Sequence, residues 1–450
     1  MKIAFYTLGC KVNQYETQGM KEQLMGEGFQ ICDEIDEAGI YIINTCTVTG
    51  LADRKSRQHI RRVKRKNPDC ITVVTGCFAQ MNPREASLIE GVDIIVGTNN
   101  KGRIGKIIKD YLDSDTALKQ EKPLTPICCV LEREDLTGYE EIGLITSMES
   151  RSKAYIKIQE GCDRFCSYCI IPYARGPIRS RNQEDIIAEA ELLISKGFKE
   201  LVLTGINTAL YGMEQESEEG NPYPLSQLVG RLSELPGDFR IRLGSLEPTV
   251  VDENYVRELL GHKRLCRHLH LSLQSGSDNI LAAMNRNYDR SSYLSIIDLL
   301  RTYDPAFGVT TDIIAGFPGE TDQDFEDSMD LIRRAVFVKT HVFPYSKRKG
   351  TKAAALENQI DPQIKAARSR LLTAEASRIT REFYRINIGG RLWVLFEDYN
   401  EETNLVRGFS DNYIRVHVNV PPEEGYGLLG NFALVELTSE SEEGMYGRMC

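Results

Sequence analysis

Between residues 153 and 385 six short apolar runs recur, "AYIKIQ", "ELVLTG", "RIRLGS", "HLHLSL", "GVTTDIIAG" and "THVFPY", each followed by a helical pattern. β-Branched runs bounded by Gly or Asn read as buried strands, and strands alternating with helices demand right-handed parallel crossovers. Six such units in one segment predict a partial (β/α)6 barrel over 151–385. The same alternation over "KIAFYTL", "GIYIIN", "ITVVTG" and "VDIIVG" predicts an N-terminal doubly wound parallel sheet at 1–112. From 113 to 150 the rhythm is lost, and the polar, proline-containing "DSDTALKQEKPLTPI" predicts a linker. The tail, 386–450, carries four short alternating runs ("RLWVLFEDY", "NLVRGFS", "YIRVHVNV", "NFALVELT"), which predict a small antiparallel β-barrel. The fold class expected is a multidomain α/β protein, because 450 residues are too many for one core.

Parallel strands end on a common edge, and that edge gives the cysteines meaning. Cys10, Cys46 and Cys77 each lie just past a predicted N-terminal strand, flanked by Gly, Asn or Thr. In an open α/β sheet the carboxyl ends of the strands are where ligands bind, so these distant residues are expected to meet in one site. A second triad is local: "GCDRFCSYC" places Cys162, Cys166 and Cys169 in one C-x3-C-x2-C loop. Soft thiolates in this pattern select an iron–sulfur cluster or zinc. Three ligands on a four-iron cluster leave one iron open for a substrate or cofactor, an arrangement suited to catalysis. Cys32, Cys70, Cys128, Cys129, Cys266 and Cys450 lie outside both patterns and are expected to be structural.

Twelve cysteines in 450 residues fall well below the density of a disulfide scaffold. No apolar run reaches the roughly 18–20 residues of a membrane span. "MKIAFYTLGCKVNQ" lacks a signal-peptide layout, so a cytoplasmic protein without a membrane partner is expected. A net charge of −10 argues against coating a polyanion with the whole surface. One stretch reverses that sign: Arg54, Lys55, Arg57, Arg61, Arg62, Lys64, Arg65 and Lys66 crowd one predicted helix, as an RNA-binding face would. Lys347, Arg348, Lys349 and Lys352 form a second basic patch. In the tail, Trp393, Phe396, Tyr399, Phe409 and Tyr413 beside Arg407 and Arg415 suit base stacking, although some must fill the barrel.

Period-two alternation places His268, His270, Ser272 and Gln274 on one face of a barrel strand, opposite Leu269, Leu271 and Leu273. Lys157, Gln159, Thr310 and Asp312 repeat the pattern on neighbouring strands. A polar inner face points to a ligand-filled interior rather than a packed one.

"GCDRFCSYCIIPYARGPIRSR" resembles the cluster motif of the radical S-adenosylmethionine superfamily, in its methylthiotransferase branch. "TLGCKVNQYET", "NTCTVT" and "TGCFAQ" resemble that branch's N-terminal domain, and the tail resembles a TRAM RNA-binding domain. The resemblance spans essentially the whole chain. It implies a [4Fe–4S] cluster on each triad, with S-adenosylmethionine on the open iron at Cys162, Cys166 and Cys169 and the sulfur to be inserted presented at Cys10, Cys46 and Cys77. It further implies cofactor contacts from Gly205, Ser245, Glu247, Asp312 and Gly316 and a basic stretch at Arg179 and Arg181. The opening "GCKVNQYET" is most similar to the group acting on threonylcarbamoyladenosine in tRNA, with an external electron donor and a sulfur donor as partners. Rival expectations are the isopentenyladenosine or ribosomal-protein members of the branch, and a non-catalytic Fe–S or zinc RNA-binding module.

Overall fold

The computed structural model describes the chain except for residues 34–37, 114–124, 149, 151 and 215–221. Residues 114–124 of the tract expected as a linker, and residues 215–221 within the polar stretch "GMEQESEEGNPYP", lie outside the described residues. The chain divides into two compact units. The first comprises 1–147, 159–185 and 346–354; the second comprises 148–158, 186–345 and 355–450.

The first unit is built on six parallel strands: β1 (Lys2–Thr7), β2 (Gln30–Cys32), β3 (Ile40–Thr45), β4 (Ile71–Gly76), β5 (Ile94–Val96) and β6 (Ile127–Cys129). Their order is β2-β1-β3-β4-β5-β6. Alternation along β3 sends Ile40 and Ile42 to a layer with Met20, Leu24, Ile104 and Ile108, and Tyr41 and Ile43 to one with Ile60, Val63 and Phe78. Helices α1 (Lys11–Gly26) and α2 (Gly50–Lys66) therefore cover opposite faces, which is the doubly wound arrangement. The order reverses between β1 and β3, so the loops leaving those two strands part and open a crevice. Two strands exceed expectation. β2 and β6 are three residues each, too short to display an alternation, and β6 ("ICC") lies in the segment expected as a linker.

In the second unit β7 (Lys153–Lys157) begins the barrel; the hairpin β8 (Gln159–Glu160) with β9 (Arg179–Ser180) belongs to the first unit. The barrel continues through β10 (Glu200–Thr204), β11 (Arg240–Leu243), β12 (Ser245–Leu246), β13 (His268–Leu271), β14 (Gly308–Ala315) and β15 (Lys339–Pro344), all parallel. β11 and β12 are one expected strand interrupted at Gly244, and a bridge from Ile241 to Leu265 joins the sheet β7-β10-β11 to β12-β13-β14-β15. The result is the open six-unit barrel, with a continuous apolar core from Ala154 to Ile379. Helix Pro362–Ile386 leads to β16 (Arg391–Asn400), β17 (Leu405–Ser410), β18 (Arg415–Asn419), β19 (Phe432–Glu440) and β20 (Met445–Met449), which close a five-stranded barrel. Four of its ladders are antiparallel and β18–β20 is parallel. The expected all-antiparallel pairing misses that closing ladder, because "MYGRM" carries too little alternation to read as a strand.

Candidate functional site

Cys10 ends the loop after β1 and caps the N-terminus of α1, so the positive end of that sixteen-residue helix points at its position. Cys46 follows β3 and is buried, and Cys77 follows β4 as the first residue of α3 (Cys77–Met81). β1, β3 and β4 are neighbours in register, so all three thiols reach the same edge, at the crevice. Close packing requires the glycine before Cys77. Gly76 has φ +94°, and a Cβ there would sit 2.5 Å from the Thr45 carbonyl oxygen. Burial first, then the adjacent Cys77 and Cys10 sulfurs, pushes the Cys46 thiol up to about 12. A metal centre binding here must displace that proton.

Cys162, Cys166 and Cys169 occupy the loop between β8 and helix Ile171–Arg175. The Cys169 amide donates to the Cys166 carbonyl at 2.9 Å and the Cys162 amide to the Gly176 carbonyl at 3.1 Å, curling the loop on itself. Gly161 sets its start with φ +74°; a Cβ there would lie 1.6 Å from the Pro177 carbonyl oxygen. Among the described residues, no three Cys, His, Asp or Glu side chains close on a single metal ion. Three thiolates in each triad are the donor set of a cubane with one open iron, whereas a closed structural zinc site takes four ligands.

Beneath the first triad lies a buried polar network. Asn13 donates to the Leu8 carbonyl (2.7 Å) and the Thr45 carbonyl (3.0 Å), tying the loops that carry Cys10 and Cys46. Arg175 donates to Asn13 Oδ1 (2.8 Å) and to both Glu16 oxygens (2.7 and 3.2 Å), and Glu16 also pairs with Lys101. The guanidinium lies within electrostatic reach of Cys77 and Cys10. Sequence patterning passes over these residues, because their partners lie up to 162 positions away.

In the second unit His268, His270, Thr310 and Asp312 share the expected polar face, whereas Gln159, expected with Lys157 on a barrel strand, lies in β8 of the first unit and donates to the Glu160 and Gly161 carbonyls. His270 Nε2 lies 3.2 Å from Asp312 Oδ2 and its Nδ1 2.9 Å from Thr310 Oγ1. Burial works to raise the Asp312 carboxyl, but the hydrogen bond and charge of His270, with His341 and Arg286 nearby, hold it below the usual carboxylate range. Glu247, 5% exposed, accepts from Asn207 Nδ2 (2.9 Å) and Arg286 Nη1 (3.1 Å). Ser245 stands opposite His270 in register, and Gln274 takes φ +70° with its backbone bonded to Asp312 and Ile314. Gly205 follows β10 and Gly316 follows β14, its amide held by Glu320 at 2.9 Å. Asn207, Arg286 and His341 escape the sequence reading, although Asn207 stands two residues after Gly205 in "LTGIN".

The basic residues divide. On α2, Arg54, Lys55, Arg61, Arg62, Arg65 and Lys66 are exposed. Arg54, Arg57, Arg61 and Arg65 line a groove of about 860 Å³ with Pro68 and Gly91. Lys64 is spent within the fold on Asp93 (2.9 Å) and the Cys70 carbonyl, and Arg57 pairs with Glu85. Three further expected RNA contacts are, like Lys64, spent within the fold. Arg179 is 4% exposed and bound to Glu160 and the carbonyls of Arg175 and Gly138; Arg181 is 1% exposed and bound to Glu141 and Tyr15. Arg348 ties to Asp53 (2.7 Å) and Thr47 (2.6 Å), leaving Lys347 exposed beside it. In the tail, Phe396 is core and Tyr413 stacks on His268, whereas Trp393 is 57% exposed.

Residues 2–97 match the uncharacterized protein family UPF0004, and residues 156–332 match the radical SAM superfamily. The chain is 37% identical to the threonylcarbamoyladenosine tRNA methylthiotransferase MtaB of Bacillus subtilis, over 99% of this chain and 96% of that one. The chain belongs to the radical SAM methylthiotransferases, in their threonylcarbamoyladenosine branch. The MtaB of Aquifex aeolicus is 35% identical over 97% of this methylthiotransferase and all of its own length. A tRNA-2-methylthio-N(6)-dimethylallyladenosine synthase of Clostridium novyi is also 35% identical, over 89% and 87%. The solved structure of the radical S-adenosylmethionine methyltransferase TsrM from Kitasatospora setae has a likeness of fold alone. Its TM-score is 0.58 at 16% identity, over 78% of this chain and 77% of that one.

Proposed function

We propose that this enzyme converts N6-threonylcarbamoyladenosine beside the tRNA anticodon to its 2-methylthio form, using one S-adenosylmethionine as radical source and another as methyl donor. The observation that carries it is the presence of two incomplete cysteine triads in one compact unit of a chain whose near-full-length relatives bear that activity in their names. The C2–H bond of adenine is neither acidic nor polarised, so acid–base side chains alone give little purchase on it. When bound, S-adenosylmethionine and one [4Fe–4S] cluster would supply the radical chemistry that such a bond requires, and a second cluster would supply the site of sulfur delivery.

Cys162, Cys166 and Cys169 would hold the first cluster, and Cys10, Cys46 and Cys77 would hold the second. In the barrel, Glu247, held by Asn207 and Arg286, and Asp312, held by His270, offer carboxylates suited to a ligand's hydroxyl or ammonium groups; Gln274, Gly205, Ser245 and Gly316 belong to the same strand ends. Asp312 stays ionised in neutral solution, which suits it to a hydroxyl or ammonium partner. An external reductant and a sulfur donor complete the reaction in the cytoplasm. Among the described residues no helix is long and apolar enough to cross a membrane.

The RNA docks on α2, and the tail barrel, read as TRAM-like, offers Trp393 as a stacking surface. Arg54, Arg61 and Arg65, spaced seven and four apart, share one face of α2, about 10 Å and 6 Å apart along its axis. Reversing these three to Glu is expected to raise the KM for tRNA at least about tenfold and to flatten its salt dependence by up to about three phosphate contacts. Iron content and circular dichroism stay as in the parent. An unchanged salt slope removes α2 from the interface.

Nucleoside analysis of tRNA from a deletion strain tests the substrate. The 2-methylthio form of threonylcarbamoyladenosine should vanish while N6-threonylcarbamoyladenosine itself accumulates. Its persistence, with loss instead of the methylthio group on dimethylallyladenosine, supports the second reading that the Clostridium relative favours. Anaerobic reconstitution that yields zinc and no 5′-deoxyadenosine returns the chain to a non-catalytic RNA-binding module.

A further inference from the structure

We propose that Arg175 is the buried counter-charge of the Cys10/Cys46/Cys77 site, a positioning residue that sets the reduction potential of the cluster held there. This rests on the reading that the triad holds a cluster. Helix Ile171–Arg175 packs against α3, whose first residue is Cys77, and the Thr98 hydroxyl pins the Ala174 carbonyl at 2.9 Å. That packing drives Arg175 to 0% exposure among Asn13 and Glu16 at the foot of the triad.

The charges there do not cancel. Lys101, Arg175 and Arg179 are buried against two buried carboxylates, Glu16 and Glu160. Arg179 pairs with Glu160 at 3.2 Å, Arg175 lies 3.8 Å from the same carboxylate, and Lys101 and Arg175 share Glu16, so among the described residues of this network three cations face two carboxylates. A buried surplus charge is costly unless something nearby carries the opposite sign. An oxidised [4Fe–4S] core with three thiolates carries one net negative charge, which is the deficit. A second observation points the same way. Arg175 Nε is buried and, among the described residues, has no hydrogen-bond partner, so one N–H is left for an acceptor such as sulfur.

Reduction adds a further negative charge to the cluster, and a fixed cation beside it favours the reduced form. The test uses the full chain with Cys162, Cys166 and Cys169 replaced by Ala, reconstituted anaerobically so that one cluster remains. Iron is assayed and the cluster is titrated reductively with detection by electron paramagnetic resonance. In that background Arg175→Gln should lower the midpoint by at least about tenfold in the one-electron equilibrium, 59 mV. Arg175→Lys, which keeps the charge, should stay within a third of that shift. Glu16→Gln removes the opposing charge and should move the midpoint upward, which keeps the inference testable if Arg175→Gln does not fold. Each protein should hold about four irons. Equal shifts in the Lys and Gln variants, shifts of one sign in Arg175→Gln and Glu16→Gln, or no shift in either, overturn the proposal. A parent background that binds no iron removes instead the assignment of the triad as a cluster site.

Discussion

Cys46→Ala is expected to leave S-adenosylmethionine cleavage within a few-fold of the parent while abolishing methylthio product. Cys46 lies at the end of the central strand β3, 8% exposed, between the loops that carry Cys10 and Cys77. Without it the edge offers two thiols, too few to retain a cubane, whereas the C-x3-C-x2-C loop keeps all three of its ligands. Iron should therefore fall from about eight per chain to about four, without loss of 5′-deoxyadenosine formation. The small side chain of Ala fits the space Cys leaves, so the sheet stays intact. Cys32→Ala, on the short edge strand β2, is the matched control and should lose neither iron nor product. Product formed by Cys46→Ala at the parent rate, or cleavage lost with insertion retained, contradicts the assignment of the two triads to separate tasks.

What the sequence discloses follows from what is periodic or shared. The hydrophobic pattern of β3 and β4 is legible because both faces are covered, and convergence of Cys10, Cys46 and Cys77 is legible because parallel strands end on one edge. His270 and Asp312 are legible for a similar reason, since alternation assigns them to the inner barrel face. Charge is not periodic in this way. Arg179, Arg181 and Arg348 look like RNA ligands until Glu160, Glu141 and Asp53 are found against them, and nothing local announces those carboxylates. Arg175 is hidden in the same manner: "YARG" gives no sign that its arginine is buried against Glu16, 159 positions earlier. Aromatic residues in the tail show the reverse error. Phe396 and Tyr413 have the chemistry of stacking surfaces, but the barrel core and His268 have already taken them.

The same hidden charge chemistry governs the second unit, where Glu200→Gln should cost about 3–5 kcal/mol of stability. Glu200, 4% exposed on β10, accepts from Arg240 Nε at 2.6 Å and from Arg242 Nε and Nη2 at 2.9 Å each. Both guanidinium groups then reach the tail barrel, Arg240 donating to the Phe409 carbonyl (2.9 Å) and Arg242 to those of Ser410 and Asp411 (3.1 Å each). One carboxylate thus holds two buried cations in place for a three-residue stretch of backbone. Its neutral isostere keeps the shape but leaves both cations underbalanced. Burial alone would raise the Glu200 carboxyl; the Arg242 and Arg240 charges and hydrogen bonds overcome it and hold the group well below the usual carboxylate range. A carboxyl depressed in the folded state contributes stability above its unfolded value, about pH 4, and that contribution fades as the pH falls toward the folded value. The parent should therefore lose more stability on acidification than Glu200→Gln does, and the gap between them should narrow below about pH 4. Urea unfolding across that range checks the sign. Hydrogen exchange checks the place: amides of β17 and β18 should lose protection in Glu200→Gln, while those of β1, β3 and β4 keep theirs. Uniform loss across both units, or a gap between parent and variant that does not change with pH, would show that Glu200 acts by packing rather than by charge.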